Sequence, residues 1–185
     1  FASVGSTPRT HFGYIFQRDP RTLDIDGEWW HDATNSKLRV YAANNNPSAY
    51  TYLISIVDTL LYSDKSNITV RDIKFVGSDQ NGVLLRGGAT GISVLDFDFD
   101  NNGGDAVTGL TVKNVTVDGC NINNTLGTGI RLMSPFSTYI NYTVTNNVVD
   151  STAMIAGMET CDRTSNNSTG IKVVGDTGIT IKYNT

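Results

Sequence analysis

Five stretches of the chain superimpose without a gap: ITVRDIKF at 68–75, ISVLDFDF at 92–99, LTVKNVTV at 110–117, YTVTNNVV at 142–149 and ITIKYNT at 179–185. The first column of this alignment reads Ile68, Ile92, Leu110, Tyr142, Ile179, and the third reads Val70, Val94, Val112, Val144, Ile181. Between them runs a hydroxyl column, Thr69, Ser93, Thr111, Thr143, Thr180. Apolar, small hydroxyl, apolar is the period-two pattern of a strand with one buried face. Its return at matching positions means that like residues stack from one repeat to the next, with aliphatic columns inside and a β-branched ladder outside.

Two polar or bend positions follow each triplet, and then a second inward pair: Ile73 and Phe75, Phe97 and Phe99, Val115 and Val117, Asn147 and Val149, with Asn184 continuing the first of these columns. Asn147 and Asn184 are thus expected to form an internal amide ladder. A further strand follows a Gly-rich turn in each repeat, at 81–87, 104–109, 127–133 and 168–174; Gly supplies the unusual backbone angles of a corner. First-column residues are 24, 18, 32 and 37 apart. Coils of roughly 20–25 residues fit this spacing, with insertions near 134–138 and 157–167 that are expected to gather on one face. An amphipathic helix does not alternate with period two, and a β-sandwich needs no gap-free register. The reading is an all-β chain, a right-handed parallel β-helix over residues 51–185, with strands at 51–57 and 60–62 leading into it.

Residues 1–50 read as a preamble. Within it, 27–42 reads as a β-hairpin, with Trp29, Trp30, Leu38, Val40 and Tyr41 on its strands and DATNSK as its turn. The last stretch stops within a strand pattern, and a solenoid needs polar caps. The expectation is an N-terminal fragment of a longer β-helix, its open edge continued by further coils or covered by another subunit. A net charge of −4 gives no basic footprint for nucleic acid, and no apolar run approaches the roughly 18 residues of a membrane span.

Cys120 and Cys161 are either a disulfide or two thiols. Asn67, Asn114, Asn123, Asn141, Asn166 and Asn167 stand in N-x-Ser/Thr contexts, with Asn67, Asn114, Asn141 and Asn167 the leading glycosylation candidates. The same pattern also arises wherever turns select Asn and strands select Thr. His11 and His31 are the only histidines, and no cluster has zinc spacing.

The repeats resemble those of the right-handed β-helix, or pectate-lyase-like, superfamily. The stretch IDGEWWHDATNSKLRVYA resembles a segment that precedes such a helix in carbohydrate-active microbial proteins, where it reads approximately GEWYYD, a turn, then LYLY. Trp30 and His31 replace the two Tyr, and LRVY replaces LYLY. The resemblance implies an extracellular or cell-surface protein that meets a polysaccharide or glycan, as part of a glycosidase or polysaccharide lyase. The alternative is a non-catalytic adhesive or fibre-forming protein on the same rod, because fold alone does not name a reaction.

A glycosidase needs two carboxyls a few ångströms apart. Asp96 and Asp98 are the leading candidates; Asp72 with Asp96, and Asp100 with Asp118, are expected at matching positions of successive coils. A lyase needs a base and a cation that neutralises a uronate; Lys74 is expected in the outward column of Asp98 and Thr116, and Arg131 beside Arg86 and Lys172. Calcium is the one cofactor considered, with Asp100 and Asp105 as its candidate ligands near Asn101 and Asn102. Against each stands the simpler reading of solvated corner Asp or exposed Lys. Trp29, Trp30 and Tyr41 either stack on sugar rings or pack the hairpin.

Overall fold

Alternating inward apolar residues make strands, and a left-handed backbone residue at each corner turns one strand into the next. In the computed structural model this happens repeatedly along the chain; residues 19–43, 46–49, 51–134, 139–152 and 169–185 are described. Two units are distinguished, Phe1–Leu53 and Ile54–Thr185.

In the first unit, β1 (Trp29–Asp32) pairs antiparallel with β2 (Lys37–Val40), so that Trp29 faces Val40 and Asp32 faces Lys37. Asp32 closes the turn by accepting from the backbone N–H and side-chain amide of Asn35, at 3.1 and 2.8 Å. The Asn35 amide, ahead of Arg39, holds the Asp32 carboxyl below the ordinary carboxylate range.

The second unit is a solenoid of three parallel sheets. The first stacks β3 (Thr59–Ser63), β6 (Asn81–Leu85), β9 (Val107–Leu110), β12 (Ile130–Met133) and β15 (Ile171–Val174). The second stacks β4 (Ile68–Arg71), β7 (Thr90–Leu95), β10 (Lys113–Asp118), β13 (Tyr142–Thr145) and β16 (Ile179–Lys182). The third stacks β5 (Lys74–Val76), β8 (Asp98–Asn102), β11 (Asn121–Thr125) and β14 (Val148–Val149). Each coil visits the three sheets in that order. No strand forms at 51–57: the alternation is present, but Leu53, Ile54 and Ile56 are exposed and no neighbouring strand pairs with them.

The register corrects the alignment of the third coil. Ile92 pairs with Val115, not Leu110, and Val115 with Tyr142. The first column is therefore Ile68, Ile92, Val115, Tyr142, Ile179, with intervals of 24, 23, 27 and 37 residues. LTVKNVTV holds two apolar–Thr–apolar triplets five residues apart, and the second is the one that stacks. Thr116 takes the place in the hydroxyl ladder expected of Thr111, and Cys120 with Ile122 forms the inward pair expected of Val115 and Val117. Three outward pairings change accordingly. Lys74 and Asp98 are followed by Asn121, not Thr116; Asp100 pairs with Asn123, not Asp118; and Leu84, not Arg86, shares the row of Thr108 and Arg131.

Backbone angles explain why the second triplet wins. The residue before each second-sheet triplet has positive φ: Asn67, Gly91, Asn114, Asn141, Gly178. So does the corner between the second and third sheets: Asp72, Asp96, Gly119, Asn146, Tyr183. A third such row, Gly77, Asn101, Asn124 and Ser151, lies at the third sheet. Stacking Leu110 in place of Val115 would take Asn114 and Gly119 out of these rows. Asn, Asp and Gly tolerate the left-handed region, which costs other L-residues about 1–2 kcal/mol.

The interior is largely aliphatic, with a ring cluster near its start: Phe75, Phe97 and Phe99 have centroids 5.4–5.8 Å apart. Beyond Cys120 the inward column becomes polar. The Asn147 amide oxygen accepts from the Cys120 N–H at 2.9 Å, and its nitrogen donates to the Val117 carbonyl and the Asn184 oxygen at 3.1 and 2.9 Å. Asn184 in turn donates to the Val144 carbonyl at 2.9 Å. The amide ladder expected from the sequence is present, and it satisfies backbone groups that the corner leaves unpaired.

Asn147→Ala strands the Cys120 N–H and the Val117 carbonyl inside the core, and is expected to lower stability by about 2–4 kcal/mol in urea titrations. Thr111 carries φ +58 as an exposed β-branched residue. Thr111→Asn is expected to stabilise by about 1 kcal/mol, read as a higher midpoint in the same titration.

Candidate functional site

The third sheet presents two outward rows. One reads Lys74, Asp98, Asn121, Val148, and the other Val76, Asp100, Asn123, then Asp150 beside it. Period-two alternation puts these side chains outside because Phe75, Phe99, Ile122 and Val149 occupy the inside. The rows border an open groove of about 340 Å³, lined by Lys74, Asp98, Asp100, Asn121, Asn123, Asn124 and Asp150, with the buried Phe99 beneath. Neighbouring coils lie about 4.8 Å apart along it.

Most of this lining is polar and ready to bond. The Asn124 amide donates to Asp100 Oδ1 at 2.9 Å and so holds one wall. Asn124 owes its position to the left-handed row (φ +51). Asn123 donates to Asn121 Oδ1 at 3.3 Å. Among the described residues the side chains of Lys74, Asp98 and Asp150 hold neither an ion pair nor a hydrogen bond within the chain. They are exposed, and Asp98 and Asp100 lie two residues apart on one face. The structure thus brings together Lys74, Asp98 and Asp100 of the sequence candidates. Asn121, Asn123 and Asn124 join them through the corrected register, and Asp150 through the column it already shares with Asp100 in the alignment.

The other candidates lie elsewhere. Asp96 sits at the corner between the second and third sheets, where Arg71 clamps two successive coils: its Nε meets Asp72 Oδ2 at 2.9 Å and its terminal nitrogen meets Asp96 Oδ2 at 3.1 Å. The pairing of Asp72 with Asp96 expected from the sequence is therefore a brace between corners. The Asp72 carboxylate, ahead of Asp96, raises the Arg71 guanidinium above its ordinary value.

Arg131 lies on the first sheet, in β12, and Asp105 in the turn that leads into β9. Arg131 Nε stands 2.6 Å from Asp105 Oδ2, an ionic contact in which the N–H is not aimed at the oxygen. Asp105 is 5 % exposed. Both its oxygens have partners: Oδ2 accepts from the Thr108 hydroxyl and Oδ1 from the Thr128 N–H, each at 2.8 Å. Lys172 is the next residue in Arg131's row. Asp100 is thus on the third sheet and Asp105 in the turn before a first-sheet strand, and among the described residues no three of His, Cys, Asp and Glu converge on a metal position.

Asn67, Asn114 and Asn141 form one exposed edge, the left-handed row before the second sheet. Each is followed by an inward apolar residue and an outward Thr, so the N-x-Thr pattern coincides with the coil geometry. Asn141 donates to Asn114 Oδ1 at 3.1 Å and Asn114 to the Thr90 hydroxyl at 2.8 Å. Cys120 is a buried thiol, contacting the Val94 and Asp118 carbonyls and pushed up to about 11 by burial. His31 lies on the hairpin, where Trp29 is exposed and the Arg39 guanidinium stands 5.7 Å from the ring of Trp30. Cys161, Asn166, Asn167, His11 and the insertion at 157–167 lie outside the described residues, as do 135–138 of the other insertion.

No helix among the described residues is long and apolar enough to cross a membrane. No curated protein matches the chain, and no solved structure does. A family model described as a right-handed β-helix region matches residues 55–185, and the solenoid of the second unit agrees with it. The chain is therefore a member of the right-handed β-helix family.

Proposed function

We propose that the protein is an extracellular or cell-surface carbohydrate-associated β-helix protein that holds a glycan chain along the third-sheet groove. The observation that carries this reading is the groove itself: carboxylates and amides repeat from coil to coil, with one ammonium on the first strand. A polyol is recognised by such a row, because every hydroxyl needs both a donor and an acceptor, and Asn supplies both. The pyranose repeat of a glycan is close to the coil repeat, so successive sugars can meet equivalent groups. Resemblance of the GEWW segment to that of carbohydrate-active microbial proteins favours the same class.

Asp98 and Asp100 are two residues apart on one strand face, roughly 6.5–7 Å between backbones. From such backbone positions two Asp side chains can bring their carboxyls to the separations that glycosidase pairs use. Asp98 is the group free to act on a substrate, while Asp100 is braced by Asn124. A non-catalytic adhesive role on the same groove is the second reading. It is favoured by the outward Thr69, Ser93, Thr116, Thr143 and Thr180 ladder, a regular flat row on the adjacent sheet.

Two measurements separate these. Calorimetric titration with soluble oligosaccharides is expected to show binding that falls about tenfold in the Asn121→Ala/Asn123→Ala double variant, two lost neutral hydrogen bonds. Incubation with polysaccharides, read by new reducing ends and by the ultraviolet absorbance of an unsaturated product, assigns turnover. Hydrolysis that disappears in Asp98→Asn supports a glycosidase, whereas binding without either product supports the adhesive role.

A further inference from the structure

We infer that the groove is selective for charge: it accepts amino-sugar and neutral glycans and rejects those built from uronic acids. This deepens the glycan-binding reading above and rests on it. Three carboxylates, Asp98, Asp100 and Asp150, line the groove against one ammonium, Lys74. Lys74 belongs to β5, the first strand of this sheet, so the cation sits at one end. From there toward the later coils the rows offer Asp98, Asp100, Asn121, Asn123 and Asp150.

Two arginines elsewhere on the solenoid do not offset this. Arg71 is committed to Asp72 and Asp96 at the neighbouring corner. Arg131, on the first sheet, is committed to Asp105. A uronate chain laid along the groove would place a carboxylate at each sugar opposite Asp98, Asp100 or Asp150, with a single Lys74 to receive one of them. Like charges at these separations repel, and the groove walls focus the field. An ammonium on an amino sugar meets the reverse situation.

The test is binding of the whole chain to three probes of equal length: a glucosamine oligosaccharide, a neutral glucose oligosaccharide and an oligogalacturonate, each titrated at low and at high salt. The glucosamine oligomer is expected to bind most tightly and the galacturonate at least about tenfold more weakly, consistent with several exposed charge contacts. Added salt should compress that ratio, because exposed pairs are screened. Asp98→Asn/Asp150→Asn should compress it at low salt as well. Both side chains are exposed and without partners, and circular dichroism confirms that the variant folds. Galacturonate binding as tightly as glucosamine, or a ratio unmoved in the folded double variant, overturns the inference while leaving the glycan-binding reading in place. Failure of all three probes to bind overturns both.

Discussion

A left-handed residue at each corner is the constraint on which the solenoid depends. Fourteen positions in three rows take positive φ, from Asn67 and Asp72 in the first full coil to Gly178 and Tyr183 in the last. At about 1–2 kcal/mol each for an ordinary residue, such rows would cost on the order of 15–30 kcal/mol. That exceeds the net stability of a typical domain, about 5–15 kcal/mol. Asn, Asp and Gly fill all but two of the fourteen, Ser151 and Tyr183. The corners therefore select composition as firmly as the core does, and the Asn that stand there also brace one another between coils.

The groove follows from the same constraint. The corner at Asp72, Asp96, Gly119 and Asn146 turns the chain onto the third sheet, and each strand there starts on the same inward phase. Inward Phe99 and Ile122 leave Asp98, Asp100, Asn121 and Asn123 no direction but outward. The left-handed row of Asn101 and Asn124 then bends the end of the strand, so that Asn124 reaches Asp100. Rigid backbone rows thus position polar side chains without an elaborate hydrogen-bond network, which leaves Lys74, Asp98 and Asp150 unpaired toward solvent.

Much of this was legible in the residues alone. Ile68, Thr69 and Val70 stack on Ile92, Ser93 and Val94 as the alignment expects, the Gly-rich turns do precede first-sheet strands, and Asn147 does bond to Asn184. Lys74 beside Asp98 and Asp72 beside Asp96 were also visible, because each pair lies within the two coils whose spacing is regular. Legibility failed at the third coil. LTV and VTV are equally good strand triplets, and local pattern does not rank them. The groove residues Asn121 and Asn123 depend on that choice and were missed with it, whereas Asp150 already aligned with Asp100. The rows of Asn and Gly at corners were the available signal: Asn67, Asn114 and Asn141 each precede an apolar–Thr pair, and aligning on them selects Val115.

By itself, then, the sequence determined the class of fold, because period-two apolar columns recurring every two dozen residues can be buried only by stacking coils. It also determined which residues can be corners and which face of each strand is dry, since both follow from local sterics and alternation. Only the tertiary structure decided which triplet of the third coil joins the column, because that depends on closing every corner at once. The same closure separated a corner brace at Asp96 and a buried partner at Asp105 from carboxylates free to meet a ligand at Asp98 and Asp150. An Asp in a turn looks the same in sequence whether or not an arginine from the stacked coil reaches it.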